Sequence, residues 1–151
     1  MNNADCIFCD IISGNGPSVK VYEDELCIVI MDIFPMRPGH VLVIPKEHAA
    51  LIHELSEQSR SHIFSVANRI NQAQRKSDLP CDAINLVVND GKAANQHVPH
   101  VHIHLLPRKQ GDLSRLAFSF FTRMLNYFGQ ESRRKRLERM AELIKQNIPE
   151  S

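Results

Sequence analysis

Three histidines, His100, His102 and His104, occupy every second position of the stretch His100–Leu106, with Val101, Ile103 and Leu105 between them. If this stretch is a β-strand, the three imidazoles project from one face and the apolar residues from the other. Imidazole serves as nucleophile, acid or base near neutral pH and is also a metal ligand. Three such rings on one face are costly without a role, because each needs hydrogen-bond partners and adjacent imidazolium charges repel. A second group of reactive type is Cys6-x-x-Cys9, the one cysteine pair of ligand-like spacing among four cysteines. Cys27 and Cys81 read as packing residues.

The rest of the chain must position these groups. With 151 residues, 43% of them hydrophobic, it is long enough to bury a core as a single domain over residues 1–151. Eighteen Lys and Arg against 17 Asp and Glu leave a formal charge of +1, which argues against nucleic acid or an anionic membrane as partner. The start, Met1-Asn2-Asn3-Ala4-Asp5, lacks the basic and apolar segments of a signal peptide, and apolar runs such as Leu26–Met31 are of strand length. The expectation is a cytoplasmic protein with no membrane span, in which cysteines are thiols or ligands.

Cys6–Ile12 reads as one or two helical turns, stopped by Ser13-Gly14-Asn15-Gly16-Pro17. Val19–Glu23 and Leu26–Met31, parted by Asp24-Glu25, read as a hairpin. Pro35-Met36-Arg37-Pro38-Gly39 must be a loop, and a strand follows at His40–Ile44. Ser56 caps a helix whose Ile63, Val66, Ala67, Ile70 and Ala73 make one apolar stripe, ended by Ser77-Asp78-Leu79-Pro80. Ala83–Asn89 reads as a strand that closes on Asn89-Asp90-Gly91, a turn signal. After the histidine stretch, Ala117–Phe128 and a stripe of Leu137, Met140, Ala141 and Ile144 are helical in character. The basic run Arg133-Arg134-Lys135-Arg136 reads as a solvated helix face. The fold class is α+β: a mostly antiparallel sheet, a long helix packed on it, and C-terminal helices.

The pattern His-apolar-His-apolar-His-apolar-apolar, led in by Gln96 and preceded by Asn89-Asp90-Gly91, closely resembles the signature of the histidine-triad (HIT) superfamily of nucleotide hydrolases and transferases. The similarity extends over about residues 6–108, since Cys-Ile-Phe-Cys, Val-Tyr-Glu-Asp, an Asp before a Pro-rich loop and Gly39–Pro45 match in order. Residues 112–148, with Phe118, Phe120, Phe121 and Phe128, are the least family-like part.

The resemblance implies a HIT-like fold and an enzyme that cleaves at the α-phosphate of a nucleotide. It makes His102 the nucleophile that forms a covalent nucleotidyl-histidine, which water resolves to a nucleoside monophosphate. His40 matches a supporting histidine. His104, Asn89 and Gln96 match residues that hold phosphate oxygens or the leaving atom, where donors already in place stabilise developing charge. His97 stands where relatives often carry Ser or Thr, a departure that bears on substrate preference. Asp32 matches a ribose-binding carboxylate, although one Asp at a strand end also suits a turn. Ile7, Phe8, Ile30 and Ile33 match the walls of a purine site, although alone they would read as core.

The resemblance further implies a structural zinc held by Cys6, Cys9, His48 and His100, a closed tetrahedral set that would brace the fold. It implies a homodimer pairing through the helix at Ser56–Lys76 and an adjacent strand. Two enzyme branches compete, one hydrolysing nucleoside phosphoramidates and one dinucleoside polyphosphates. Leu106-Pro107-Arg108-Lys109 resembles the polyphosphate branch, whose cations bind the departing polyphosphate. The alternatives from other classes are a purine-nucleotide-binding signalling or interaction module with incidental slow turnover, and a zinc-organised structural protein.

Overall fold

The computed structural model describes residues 6–114 and 130–150. Five strands form one antiparallel sheet: β1 (Lys20–Glu23), β2 (Cys27–Met31), β3 (Val41–Pro45), β4 (Ala83–Val88) and β5 (Ile103–Arg108), in spatial order β1-β2-β3-β5-β4. Among the described residues, the α-helices that pack on the sheet are α1 (Ile7–Ile12), α2 (Glu57–Lys76) and α3 (Gln130–Lys145). This is the α+β arrangement that the sequence predicts.

β2 and β3 are buried at every residue, so the sheet must be covered on both faces. Alternation divides their side chains between two cores. Cys27, Val29, Met31, Val41 and Val43 join Ile63, Val66, Ala67, Ile70 and Ala73 of α2 and Leu137, Ala141 and Ile144 of α3. Ile28, Ile30, Leu42 and Ile44 face the other way and pack with Cys6 and Phe8 around α1. The apolar stripes expected on α2 and α3 are therefore the buried ones, with Met140 packed at the margin. Ser56 caps α2 by accepting the Ser59 N–H, as its position predicts. The stretch Ala117–Phe128, with its four phenylalanines, lies outside the described residues.

The β1–β2 turn is set by one carboxylate. Asp24 Oδ1 accepts the backbone N–H groups of Leu26 (2.9 Å) and Cys27 (2.8 Å), and Oδ2 accepts from Tyr22 Oη (2.8 Å) and His62 Nε2 (2.7 Å). Burial opposes ionisation here, but these bonds outweigh it and hold the Asp24 carboxyl well below the usual carboxylate range. Such a depressed group stabilises the fold fully above about pH 4, and the contribution is lost as pH falls through the folded-state value. Asp24→Asn is expected to cost about 1–3 kcal/mol at pH 7 and to flatten the loss of stability on acidification. Melting curves of both proteins between neutral and strongly acidic pH check this.

The Pro-rich loop enters β3 through Gly39, whose φ is +81° and whose added Cβ would fall 2.5 Å from Leu79 Cδ1. The positive φ favours glycine there. The turn places His40 just before β3.

Candidate active site and metal centre

β5 begins at Ile103, later than the sequence predicts, so of the three histidines only His104 lies within the strand. His100 and His102 belong to the approach segment, which turns on His100 N–H to Val98 O (2.8 Å) and Val101 N–H to Ala49 O (2.8 Å). The cause is that the β5 ladders stop at Ile103, paired with Val43 on one side and Val88 on the other. The single-face picture of three rings on one strand is thereby corrected: His100 turns to a separate cluster, while His102 and His104 stay together with ring centroids 4.8 Å apart.

His102 is buried, and its Nδ1 lies 2.7 Å from the carbonyl oxygen of His100. A carbonyl only accepts, so Nδ1 carries the proton and neutral His102 has its lone pair on Nε2. The Phe8 ring packs edge-on at 5.1 Å between centroids, backing the imidazole. Phe8 and Ile30 are buried in the α1 core, whereas Ile7 and Ile33 are 52% and 47% exposed, so the latter two are the ones open to a ligand.

His40 Nε2 lies 3.0 Å from His104 Nδ1. Met36 N–H points at His40 Nδ1 (3.4 Å), so a neutral His40 carries its proton on Nε2 and donates it to His104. His104 then carries its own proton on Nε2. Asp32 Oδ2 sits 3.5 Å from His40 Nδ1, while Oδ1 accepts Phe34 N–H (2.8 Å) in an Asx turn. The turn role that the sequence leaves open for Asp32 is thus present. Asp32, at 3% exposure, adjoins the histidine pair as well.

Asn89 follows β4 one residue beyond the last rung, Val88 with Ile103, which places it at the His102 end of the sheet. The Gln96 amide braces a loop: Oε1 accepts Gly91 N–H (2.8 Å) and Nε2 donates to Ala50 O (2.7 Å), leaving its second amide hydrogen. His97 is exposed. Arg108 and Lys109 depart from the expectation of free cations. Arg108 is bound to Asp112 and Asn85, and Lys109 to Asp82 at 2.8 Å. Arg108 in turn holds the Asp112 carboxyl down to about 2.

Cys6, Cys9, His48 and His100 converge, their Sγ and Nδ1 atoms lying within 4.8 Å of one another. The distances are Cys6 Sγ to His100 Nδ1 3.4 Å, Cys9 Sγ to His48 Nδ1 3.3 Å, Cys9 Sγ to His100 Nδ1 3.7 Å, and His48 Nδ1 to His100 Nδ1 3.2 Å. For bonds of about 2.3 Å to sulfur and 2.05 Å to nitrogen, a regular tetrahedron has S···N edges of about 3.6 Å and N···N edges of about 3.3 Å. The donor set fits a tetrahedral ion. His100 directs its other nitrogen to Pro45 O (2.9 Å), the outer-shell bond that fixes a ligating ring. Burial pushes His100 down to about 4, keeping it neutral, and burial together with neighbouring Cys6 pushes the Cys9 thiol up to about 11. A cation would supply the charge that draws out the thiolates.

Glu47 went unnoticed in the sequence. Its carboxylate accepts from Ser56 N–H (3.0 Å), Ser56 Oγ (2.6 Å) and Ser59 Oγ, tying the segment that carries His48 to the start of α2. Its signal was an acid beside a candidate ligand, with serines at the following cap. Asp90 Oδ1 accepts Ile52 N–H (2.9 Å), so the loop from Asn89 to Gln96 is clamped to the same segment.

A model of the HIT domain matches residues 13–111. The chain is 42% identical over 103 residues to the adenosine 5'-monophosphoramidase hnt1 of Schizosaccharomyces pombe, covering 68% of this chain and 74% of that protein. It is 42% identical over 108 residues to the adenylylsulfatase HINT3 of Arabidopsis thaliana, covering 72% of this chain and 54%, about half, of that one. A Zn-bound histidine triad family protein from Mycobacterium smegmatis superposes with a TM-score of 0.78 at 35% identity, over 97% of this chain and 95% of that chain. With the triad, the sheet and the domain match in agreement, this chain belongs to the HIT domain family.

Proposed function

We propose that the protein is a nucleotide hydrolase that cleaves at the α-phosphate through a covalent nucleotidyl-His102. The observation that carries this reading is the bond from His102 Nδ1 to His100 O, which leaves the lone pair on Nε2. Nε2 attacks phosphorus, the P–N bond forms and the bond to the leaving group breaks. Water then attacks the same phosphorus and gives up a proton that balances the one taken up by the departing amine, the P–N bond breaks, and the electron pair returns to Nε2. Two in-line displacements give net retention at phosphorus. His104 Nε2–H donates to a phosphoryl oxygen or to the leaving atom, with His40 behind it as the group that fixes its tautomer. Asn89 and the second amide hydrogen of Gln96 serve as further donors, Asp32 as acceptor from ribose hydroxyls, and Ile7 and Ile33 as apolar contacts to a purine. His97, exposed at the loop rim, is assigned to the leaving-group side.

The substrates favoured are nucleoside phosphoramidates, and mixed anhydrides of a nucleoside monophosphate, with small leaving groups. Relatives named as phosphoramidase and adenylylsulfatase support this, as does the engagement of Arg108 by Asp112 and Asn85, which leaves that guanidinium a poor candidate to receive a departing polyphosphate. The test is release of adenosine monophosphate from an adenosine phosphoramidate, adenylyl sulfate and diadenosine tetraphosphate. The reading predicts faster turnover of the first two; binding of all three without turnover would favour a binding module instead.

Zinc is the metal assigned to Cys6, Cys9, His48 and His100, supported by the tetrahedral fit and by the Zn-bound relative. It would hold α1 and the His48 segment against the approach to β5, outside the chemical step. The chain is read as a single HIT domain, cytoplasmic, with α3 part of its main core. Among the described residues no helix is long and apolar enough to cross a membrane.

A homodimer through α2 and the edge strand β4 is supported by Phe64, Leu86 and Val87, which are apolar yet 40%, 44% and 40% exposed. Phe64→Glu combined with Leu86→Glu is expected to convert a dimer to monomer in light scattering.

A further inference from the structure

We propose that Gln74 is a positioning residue that sets the distance between His40 and His104 from the opposite side of the sheet. The proposal deepens the phosphoryl-transfer reading and rests on it for its kinetic consequence, while its geometric consequence is readable without substrate.

The stripe of α2 that enters the core runs Ile63, Val66, Ala67, Ile70, Ala73 and then Gln74, which is 0% exposed. A leucine or methionine would continue the stripe. Instead Gln74 Nε2 donates to Gly39 O (2.9 Å) and to Leu105 O (3.3 Å). A primary amide has two hydrogens, so both bonds are made together. The two carbonyls belong to the residue immediately before His40 and the residue immediately after His104.

The ladder between β3 and β5 ends at the rung of Val41 with Leu105, so His40 lies one residue beyond it. The backbone of His40 is tied to its own loop: His40 O accepts Asp32 N–H (3.0 Å) and His40 N–H donates to Arg37 O (3.2 Å). The contact of His40 Nε2 with His104 Nδ1 at 3.0 Å therefore runs diagonally, from a residue just past the end of the ladder to the rung of His104 with Leu42. The Gln74 amide joins the same two strands at the same level from the α2 side.

The arrangement has a cost. Gln74 Oε1 is buried with no hydrogen-bond partner among the described residues, a penalty that an apolar residue of similar length would avoid. A tether that only fixed the helix to the sheet could be replaced by packing. Two donors aimed at the carbonyls beside His40 and His104 do more than fix the helix, because they tie the two strands to each other through one amide.

The test uses the full 15N-labelled chain and two variants. Gln74→Met keeps the length and removes both donors; Ile70→Val loosens the same helix face and leaves them. Gln74→Met is expected to shift the imidazole 15N signals of His40 and His104, to leave those of His62 in place, and to lower kcat about 10- to 100-fold with KM within about twofold. Ile70→Val is expected to lower Tm with the His40 and His104 signals unmoved. Unmoved signals in Gln74→Met, or equal shifts in both variants, would overturn the proposal. An inactive wild-type protein would count against the functional reading alone, since the imidazole signals still decide the positioning role. If Gln74→Met does not fold, the wild-type side chain is read: its amide protons should exchange far more slowly than those of exposed Gln72, with scalar coupling to the Gly39 and Leu105 carbonyls. Exchange as fast as Gln72 would overturn the proposal.

Discussion

His102→Asn is expected to lower release of adenosine monophosphate by about 10³- to 10⁴-fold, the scale seen when a nucleophile is lost and binding groups remain. Asparagine can still donate to the His100 carbonyl that now receives Nδ1–H, so the approach segment should keep its course. Folding and metal content should be those of the wild type. The loss should fall on kcat, because in the proposed reaction the ring makes its new bond only in the chemical step, while the binding groups proposed at Asn89, Gln96 and Asp32 are left unchanged. Steady-state rates with intact protein mass, melting temperature and metal analysis check all three parts. A variant that retains wild-type rates would remove His102 from the chemistry.

Cys6→Ser with Cys9→Ser is expected to lose the metal and lower Tm by about 10 °C. The estimate follows from linkage: an ion bound at a thousandfold excess over its dissociation constant stabilises by about 4 kcal/mol, and a chain of this length shifts by about 2–4 °C per kcal/mol. Activity should fall less steeply than in His102→Asn. The proposed metal centre would act on the reaction only through position, since His100, whose ring is one of its four proposed ligands, is the residue whose carbonyl lies 2.7 Å from His102 Nδ1. Chelation of the wild-type protein should reproduce the loss of stability, and added zinc should restore it. A double variant that melts with the wild type would deny the centre a bracing role.

Periodicity and caps were the legible part of the fold. The stripes on α2 and α3, Ser56 at its cap and the Asp24 turn each follow from local rules that the tertiary structure reinforces. The start of β5 was not legible, because alternation of apolar residues continues through Val101 while the ladder partners end at Val43 and Val88. Strand length is set by neighbours, and a single stretch does not contain them. In the site, residue types and spacing singled out His100, His102 and His104 and the Cys6–Cys9 pair, whereas His40, and His48 and His100 as partners of the two cysteines, followed only from the resemblance to the HIT superfamily. They did not show which nitrogen of His102 carries its proton, because that depends on a backbone carbonyl two residues away. Nor did they show that Arg108 and Lys109 are engaged by Asp112, Asn85 and Asp82, partners 4 to 27 residues distant. Gln74 was hidden because one polar residue at the end of an apolar stripe reads as the helix margin, whereas in the fold that position is buried.

The claim at the centre of this account is a covalent bond between phosphorus and Nε2 of His102. Its direct test is rapid mixing of the full chain with adenosine phosphoramidate, an alkaline quench that preserves a phosphorus–nitrogen bond, and mapping of the adduct by mass spectrometry. The account predicts a single adenylyl group on the peptide that contains His102, formed faster than turnover and absent from His102→Asn. Turnover with no adduct and inversion at phosphorus, or an adduct on another residue, would contradict it.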